Sequence, residues 1–338
     1  MGKDIGIDLG TATVLVYVKD RGIVLKEPSV VAIDDETGRI LKVGYEAQKM
    51  LGRTPGNIKA IRPLRDGVIS QYDVTLKMIE YFIRKACGGS IIFRPRVIIC
   101  VPSGITEVEE RAVIDAARQA GAKDTRIIAE PIAAAIGAGI DISKPNGHMV
   151  VDIGGGTTDI AVIALGDSVV SESIKVAGDK FDDAIVRYVR KRYGALIGDR
   201  TAEEIKKKIG SVWTRPEASY IDIKGRDLRD GMPKIIRLTA AEMPIALEEP
   251  ITEIIEAVCS VIERTPPELI GDILSNGIVM TGGGSKLYGI DKLIENVTGV
   301  RTRIADKPDQ CVAIGTGRAL DYMSSLPEGT AVSRQRMQ

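Results

Sequence analysis

One short pattern occurs twice in this sequence, almost half a chain apart. The first copy is IGIDLGTAT at residues 5–13, and the second is VVDIGGGTTD at residues 150–159. Each copy is an apolar stretch, an Asp, a turn rich in Gly and Thr, and a second apolar stretch, which together predict a β-hairpin. A glycine-rich turn lets backbone N–H groups approach an anion closely, and an Asp at the strand end can hold a cation beside it. Two such hairpins facing each other would clamp the phosphates and the metal of a nucleotide.

The repetition is what gives this pattern its weight. A single Gly-rich turn of this kind is equally typical of an ordinary tight hairpin and is weak evidence for a ligand. Internal duplication, however, implies two matching half-molecules. We therefore interpret the chain as two similar lobes, each with a phosphate-binding turn and an Asp.

Composition narrows the classes of function. At 338 residues the chain is long enough for about two domains of ~150 residues each. Lys+Arg and Asp+Glu are both 46, so no net charge attracts nucleic acid, and we expect no nucleic-acid partner. The four cysteines are scattered without a C-x-x-C pair, and His148 is the single histidine. This predicts neither a disulfide framework nor a zinc cluster nor a His-based triad, and His148 is interpreted as structural.

The sequence favours a cytoplasmic location. A strand pattern begins at residues 3–5, which leaves no room for a signal peptide. No apolar stretch approaches the ~20 residues of a membrane span. We expect a cytoplasmic protein that is not integral to a membrane.

Strand and helix patterns alternate along the chain, which favours α/β layers. Helices are predicted at residues 73–86, from a Thr106/Glu109 capping box to residue 121, from Glu130 onward, after residues 178–179, and at 201–209. The segments 34–70 and 210–238 are polar and rich in turn residues, and we predict that they form small insertions outside the main sheets.

Five segments in fixed order resemble the superfamily of actin, sugar kinases and DnaK chaperones. They are DLGTAT at 8–13, EPIAAAIGAG at 130–139, DIGGGTTD at 152–159, TGGGS at 281–285 and AIGTGRAL at 313–320. The segments between them are similar to MreB-type bacterial actins, with the closest likeness to the Mbl branch. Examples are EPSVVAID at 27–34, GRTPGNIKAIRPLRDGVI at 52–69, GDKFDDAI at 178–185 and ERTPPEL at 263–269. The resemblance covers nearly the whole chain.

The resemblance implies an α/β, actin-like fold. Two duplicated ribonuclease-H-like lobes would surround a nucleotide cleft, and each lobe would carry a small inserted subdomain. The expected core of the first lobe is residues 1–33, 71–144 and 314–338, with 34–70 as its insertion. The expected core of the second lobe is residues 145–182 and 238–313, with 183–237 as its insertion.

The resemblance also implies roles for individual residues. Asp8 and Asp152 match the acidic positions around the Mg²⁺ of the nucleotide, at least one of them acting through water. Glu130 and Thr157 match residues that position or activate the attacking water, although the place of Glu130 at a helix start would alone favour only an interaction with the helix dipole. Relatives usually carry Asn where Thr13 stands, so we expect nucleotide binding with an altered affinity or hydrolysis rate. The implied nucleotide contacts are Thr11, Ala12, Thr13, Gly154, Gly155, Gly156, Thr157, Glu203, Glu204, Ile205, Lys206, Gly282, Gly283, Gly284 and Ser285.

The implied function is that of a slow ATPase that forms filaments. ATP would be hydrolysed to ADP with Mg²⁺ by in-line attack of water, and hydrolysis would be coupled to polymerisation into homopolymer filaments. Such filaments would lie on the inner face of the cytoplasmic membrane and organise cell-wall synthesis and rod cell shape, with the wall-synthesis machinery as partner. A sugar or acetate kinase is the alternative, but no motif supplies a base for an acceptor hydroxyl. A chaperone-like ATPase is a weaker alternative, since no peptide-binding domain follows the second lobe.

A candidate membrane loop lies at Ile91, Ile92 and Phe93, between two glycines and the cations Arg94 and Arg96. Taken alone, these apolar residues favour the beginning of the buried strand that continues to residue 101. In MreB-type proteins this position carries a loop that inserts into the membrane, and the resemblance therefore favours insertion, with the cations meeting anionic headgroups. The single loop would act by avidity within a polymer.

We predict that changing Ile92 and Phe93 to Ser abolishes binding to anionic liposomes, because the loop loses the apolar side chains that would enter the bilayer. Co-sedimentation of polymerised protein with liposomes measures this binding. Polymerised variant that still sediments with liposomes as the unchanged protein does would contradict the insertion of this loop.

Overall fold

The computed structural model describes residues 3–52, 56–65, 67–89, 94–215 and 219–321. The predicted membrane loop at residues 91–93 lies outside these ranges. The described strands are β1 (Asp4–Leu9), β2 (Thr13–Val18), β3 (Gly22–Pro28), β4 (Val31–Asp34), β5 (Ile40–Val43), β6 (Ile58–Ile61), β7 (Leu64–Arg65), β8 (Val68–Ile69), β9 (Arg96–Val101), β10 (Asp124–Ala129), β11 (His148–Ile153), β12 (Thr158–Ala164), β13 (Asp167–Ile174), β14 (Ala195–Leu196), β15 (Tyr220–Asp227), β16 (Pro233–Thr239), β17 (Ile278–Thr281) and β18 (Thr302–Ile304).

The described helices follow the apolar periodicity of the sequence. They are α1 (Tyr45–Gln48), α2 (Tyr72–Cys87), α3 (Glu107–Gln119), α4 (Glu130–Gly137), α5 (Gly178–Tyr193), α6 (Asp199–Ile209), α7 (Met243–Ala246), α8 (Glu248–Arg264), α9 (Pro267–Asn276), α10 (Ile290–Thr298) and α11 (Cys311–Ala319). The predicted capping box at the start of α3 is confirmed, because the Thr106 hydroxyl accepts from the Glu109 N–H and the Glu109 carboxylate accepts from the Thr106 N–H. None of the described helices combines the length and the apolar composition needed to cross a bilayer.

Two five-stranded sheets have the same topology. The first sheet has the strand order β10-β9-β1-β2-β3, and the second sheet has the order β13-β12-β11-β17-β18. In each sheet the first three strands in sequence are antiparallel neighbours, and the next two are parallel to the first strand. Numbered within its own lobe, each sheet therefore has the order 3-2-1-4-5. The duplicated sequence pattern corresponds to a duplicated fold, and both copies of the pattern form the predicted hairpins.

Strand periodicity directs the aspartates of the two hairpins toward the space between the sheets. On β1, Ile5 and Ile7 pack into the core with α2 and α3, and the intervening residues face the opposite side. On β11, Val151 and Ile153 pack into the outer core of the second lobe, whereas Val150 packs between the sheets. Asp152 shares the parity of Val150, and so lies on the inner face.

Small sheets accompany both large ones. Strands β5-β4-β6 form one three-stranded sheet and β14-β15-β16 form another. The second of these includes an antiparallel hairpin inside the segment that the sequence indicates only as polar and turn-rich. In that hairpin Ile221, Ile223, Ile236 and Leu238 are buried and alternate with exposed, mostly polar residues. The segment is therefore polar on average, although one face of each of its strands is apolar and packs into the core.

Helices α4 and α11 pack against each other between the two large sheets. They share a buried cluster with Ile98 and Ile128 of the first sheet and with Ala161 and Ile163 of the second. Their backbones approach so closely that two glycines are required at the contact. A Cβ on Gly137 would lie 1.8 Å from the Cys311 carbonyl oxygen, and a Cβ on Gly315 would lie 1.8 Å from the Ala133 carbonyl oxygen. The relative placement of the two sheets therefore depends on this helix pair.

We predict that Gly315→Ala lowers the free energy of unfolding by about 1–3 kcal/mol or more, because the added methyl group cannot fit without separating α4 from α11. The matched control is Gly271→Ala in α9, where a Cβ meets no atom within 4 Å and no positive φ is needed. That change should stabilise the protein by up to about 1 kcal/mol, because Ala favours a helix over Gly. Urea unfolding of the two variants compares them, and equal stability would contradict the close packing.

Candidate functional site

A cleft of about 510 Å³ lies between the two lobes. It is lined by the turns of both repeated hairpins, by the first residue of α4, by the N-terminal part of α5, and by residues of α6. The turn after β17 and the short segment before α11 complete its wall. The cleft therefore brings together four of the five sequence segments that carry the resemblance, and Val312 of α11, the residue before the fifth segment, also lines it.

The two glycine-rich turns face each other directly. A Cβ on Gly155 would lie 2.6 Å from the Cβ of Ala12, so only glycine allows the second turn to approach the first this closely. Within the second turn, the Gly154 N–H donates to the Thr157 carbonyl at 2.9 Å. The Thr11 hydroxyl of the first turn accepts from the Gly67 N–H at 3.1 Å, which adds the β7–β8 connection to the site.

Asp152 is a buried carboxyl at the floor of the cleft, and Asp8 is a partly buried one beside it. Burial raises the pKa of each to about 7, and the neighbouring Asp159 and Asp8 carboxylates add to the shift at Asp152. The Cys100 thiol lies 3.5 Å from Asp8 Oδ1, and the Thr281 hydroxyl donates to Asp152 Oδ1 at 2.5 Å. These hydrogen bonds favour the ionised carboxylates but do not compensate for burial. Such a pair is poised to accept either protons or a cation.

The donor set fits one hydrated Mg²⁺ bound together with phosphates. Among the described residues there is no group of three or more His, Cys, Asp or Glu that could hold a metal alone. Mg²⁺, however, is commonly held by one or two carboxylates plus substrate phosphates and water. Asp8 and Asp152 are hard oxygen donors whose charge is otherwise opposed by burial, so they are suited to that arrangement.

Glu130 is the first residue of α4 and also lines the cleft. Burial raises its pKa well above the ordinary value for Glu, and the carboxylates of Asp159, Asp152 and Asp8 raise it further. Asp159 lies behind Glu130, is completely buried, and accepts from the Ser103 N–H at 2.8 Å. Asp159 is the last residue of the second repeated pattern, but the sequence alone predicts no role for it.

Most residues predicted for the site do meet in the cleft. Those that line it are Asp8, Thr11, Ala12, Thr13, Glu130, Asp152, Gly154, Gly155, Gly156, Thr157, Glu203, Lys206, Gly282, Gly283 and Gly284. Three others do not. Ser285 is buried and its hydroxyl donates to the Gly282 carbonyl at 2.7 Å, which holds the turn from behind. Glu204 is exposed and pairs with Lys208, and Ile205 is fully buried in the second-lobe core. The helical period of α6 separates these two from the cleft face.

Lys206 has a structural position as well as a place on the cleft wall. Its ammonium group donates to the Gly178 carbonyl at 2.7 Å and to Asp182 Oδ2 at 2.8 Å, which ties α6 to the start of α5. Burial raises the pKa of Asp182 to about 6, although Lys206 opposes the shift. Glu203 pairs with Lys207 at 2.5 Å.

Several charged residues of the cleft could not be predicted individually from the sequence, because no motif marks them as site residues. Lys26, Arg62, Asp179, Lys286 and Asp309 line it and form ion pairs there. Arg62 and Asp179 lie inside the segments 52–69 and 178–185, whose likeness to MreB-type proteins marks the region without indicating which side chains meet.

Comparison with known proteins identifies a family over nearly the whole chain. The sequence profile of the MreB/Mbl protein family matches residues 2–328. The cell shape-determining protein Mbl of Bacillus subtilis is 52% identical over 326 residues, which cover 96% of this chain and 98% of that protein. The cell shape-determining protein MreB of Escherichia coli is 50% identical over 326 residues, which cover 95% of this chain and 94% of that protein.

Solved structures show the same architecture. The crystal structure of MreB5 of Spiroplasma citri bound to ADP matches with a TM-score of 0.92 at 39% identity, over 96% of this chain and 98% of that one. The structure of the same protein bound to AMPPNP also has a TM-score of 0.92, at 40% identity, over 96% and 97% of the two chains. The predicted actin-like fold is therefore confirmed.

We predict that the nucleotide-free protein loses stability between pH 6 and pH 8. Because the folded-state pKa of Asp8 and of Asp152 is about 7 against an ordinary 3.8, the stabilisation from proton binding is fully present below pH 3.8 and is lost as the pH rises through 7. Each carboxyl should contribute a loss of about 1 kcal/mol between pH 6 and pH 8. Urea unfolding in the presence of a chelator measures the change.

The variants Asp152→Asn and Asp222→Asn separate this contribution from others. Asp152→Asn should lose less stability than the unchanged protein over this range, because one titrating group is gone. Asp222 is exposed and its pKa is lowered by Arg237, so Asp222→Asn should keep the full loss. An identical pH dependence for both variants would contradict the raised pKa of Asp152.

Proposed function

This chain belongs to the MreB/Mbl family of bacterial actins that determine cell shape, and from this premise we propose that it is a slow ATPase whose nucleotide cycle drives filament assembly. The observation that carries the proposal is the convergence of both glycine-rich turns with Asp8, Asp152 and Glu130 in one cleft. MreB5, which shares this architecture, has been solved with ADP and with AMPPNP. We propose that the cleft of this chain takes ATP and ADP.

The two turns would hold the phosphates. Backbone N–H groups of residues 11–13 and 154–157 are the donors that a triphosphate needs, and the absence of a side chain at Gly155 lets the second turn approach it. Asp8 and Asp152 would hold Mg²⁺. When bound, Mg²⁺ offsets negative charge on the phosphate oxygens. The turn at residues 282–284 would contact the ribose and the α-phosphate, with Glu203 and Lys206 near the adenosine.

Glu130 and Thr157 would act on the attacking water. Glu130 lies at the start of α4, beside both hairpins, and its raised pKa makes its carboxylate a stronger proton acceptor than an exposed Glu. The Thr157 side chain lines the same part of the cleft and can hydrogen-bond the water. No covalent intermediate is required, since positioning and electrostatic stabilisation are sufficient for phosphoryl transfer to water.

The remaining parts of the proposal concern assembly. We propose homopolymer filaments on the inner face of the cytoplasmic membrane, attached through residues 91–93 and organising cell-wall synthesis. The support is the family membership and the identity of about half of all residues to the cell shape-determining proteins Mbl and MreB. We also propose the four-part division at residues 34–70 and 183–237, where the two small sheets leave the cores.

We predict that Glu130→Gln lowers the rate of ATP hydrolysis about 100-fold or more, because Gln cannot accept the proton of the attacking water. Nucleotide affinity should change little, since Gln has the shape of the protonated Glu. Phosphate release in the presence of Mg²⁺ measures the rate, and competition with a fluorescent nucleotide measures the affinity.

The matched control is Glu204→Gln, on the exposed face of α6, which should hydrolyse ATP at the unchanged rate. Electron microscopy of the same samples on anionic lipid tests assembly, and Glu130→Gln should accumulate as filaments with ATP. An unchanged hydrolysis rate for Glu130→Gln would overturn the role of Glu130. Dispersed monomers of the unchanged protein under all nucleotide and salt conditions would overturn the filament proposal and favour a kinase.

A further inference from the structure

An ion pair joins the two lobes across the mouth of the cleft. Arg62 lies just after β6, next to the small sheet of the first lobe, and Asp179 lies in the first turn of α5 in the second lobe. Arg62 Nη1 is 2.8 Å from Asp179 Oδ1. The two side chains are 32% and 35% exposed, so water reaches the pair only in part.

Each partner is attached to one of the two glycine-rich turns. The Asp179 N–H donates to the Gly155 carbonyl at 2.8 Å, so the start of α5 moves with the second turn. On the other side, the chain runs from Arg62 into the β7–β8 connection, where the Gly67 N–H donates to the Thr11 hydroxyl of the first turn. Separating Arg62 from Asp179 therefore requires the turns to move apart or the side chains to rotate.

The charges around Asp179 give it no substitute for Arg62. Arg62 also faces the carboxylates of Glu203 and Asp182. The cations nearest to those acids, Lys207 and Lys206, are paired with them inside the second lobe. Among the described residues, Asp179 has no second ion-pair partner.

A second ion pair crosses the cleft but differs in this respect. Lys26 of β3 contacts Asp309, and Asp309 is also paired with Lys286 of its own lobe. Removing Lys26 leaves Asp309 with a partner, whereas removing Arg62 leaves Asp179 with none in the described parts of the chain. The Arg62–Asp179 pair is therefore the contact on which closure at this side depends.

We propose that Arg62 and Asp179 form a clasp that holds the cleft closed over a bound nucleotide and sets the rate at which the nucleotide leaves. This inference rests on the proposed function, since it assumes that the cleft binds nucleotide. The clasp adds no contact to the nucleotide itself. It acts on the opening of the lobes, so it controls dissociation and exchange.

The partial exposure of the pair determines its expected strength. A partly solvated ion pair of this kind changes an equilibrium by a factor of up to about five, and salt weakens it. Loss of the clasp should therefore accelerate nucleotide release about three- to fivefold at low salt. The difference between the variant and the unchanged protein should shrink as the ionic strength rises.

The test is a chase experiment with full-length protein loaded with N-methylanthraniloyl-ATP, at a concentration where sedimentation detects no polymer. Release after addition of excess ATP is followed for the unchanged protein, Arg62→Ala, Asp179→Asn and the double variant. Each single variant should release nucleotide about three- to fivefold faster. The double variant should match the single variants, because the first change already removes the pair.

Two further variants serve as controls. Arg187 pairs with Glu249 at 2.7 Å on the same helix α5 but outside the cleft, so Arg187→Ala should release nucleotide at the unchanged rate. Arg62→Lys keeps the charge and should release more slowly than Arg62→Ala. If Arg62→Ala fails to fold, as judged by circular dichroism, Asp179→Asn and Arg62→Lys still decide the matter.

The outcomes separate this inference from the proposed function. Failure of the unchanged protein to bind the fluorescent nucleotide would overturn both. Binding by the unchanged protein, with release from Arg62→Ala and Asp179→Asn at the unchanged rate, would overturn the clasp and leave the ATPase proposal intact. Additive acceleration in the double variant would show two independent effects and would also overturn the clasp.

Discussion

The contact between α4 and α11 is the constraint on which the site depends. Gly137 and Gly315 let the two helix backbones approach to a distance that no side chain would allow, and the inner faces of both large sheets pack on this pair. Because β1 and β11 lie at equivalent positions in their sheets, Asp8 and Asp152 then converge at the floor of one cleft. The first residue of α4, Glu130, is placed beside them by the same contact.

This convergence gathers acidic groups in a place that water reaches poorly. Asp8, Asp152, Asp159 and Glu130 are all buried enough for their pKa values to rise, and their mutual repulsion adds to the effect at Asp152 and Glu130. These acidic groups lower the stability of the empty cleft, and a bound cation with its ligand can restore that stability. Such clusters of perturbed carboxyl groups are common at binding sites. The glycine-rich turns and the ion pairs across the cleft supply the complementary groups.

The sequence predicted the elements that depend on local patterns of residues. The hairpins, α2, the capped α3 and the start of α4 depend on periodicity, glycine and capping residues that are near one another in the chain. Glu204 and Ile205 were grouped with Glu203 and Lys206 as a continuous segment, but a helix turns neighbouring side chains to different faces. The partnership of Arg62 with Asp179 could not be predicted, because it depends on how two separately folded lobes meet.

The position of α11 in the chain has a consequence for biosynthesis. Residues of α11 pack beneath the first sheet, where a Cβ on Gly6 would lie 3.0 Å from the Gly317 nitrogen. All strands of the second sheet, from β11 to β18, are synthesised shortly before α11. Strands β1 and β2 are synthesised first, and they lack the helix that covers them until almost the whole chain has been made. The second sheet also depends on α11, because Cys311 packs with Val279 of β17, so neither half of the duplicated architecture can bury its inner face before the end of the chain has been synthesised.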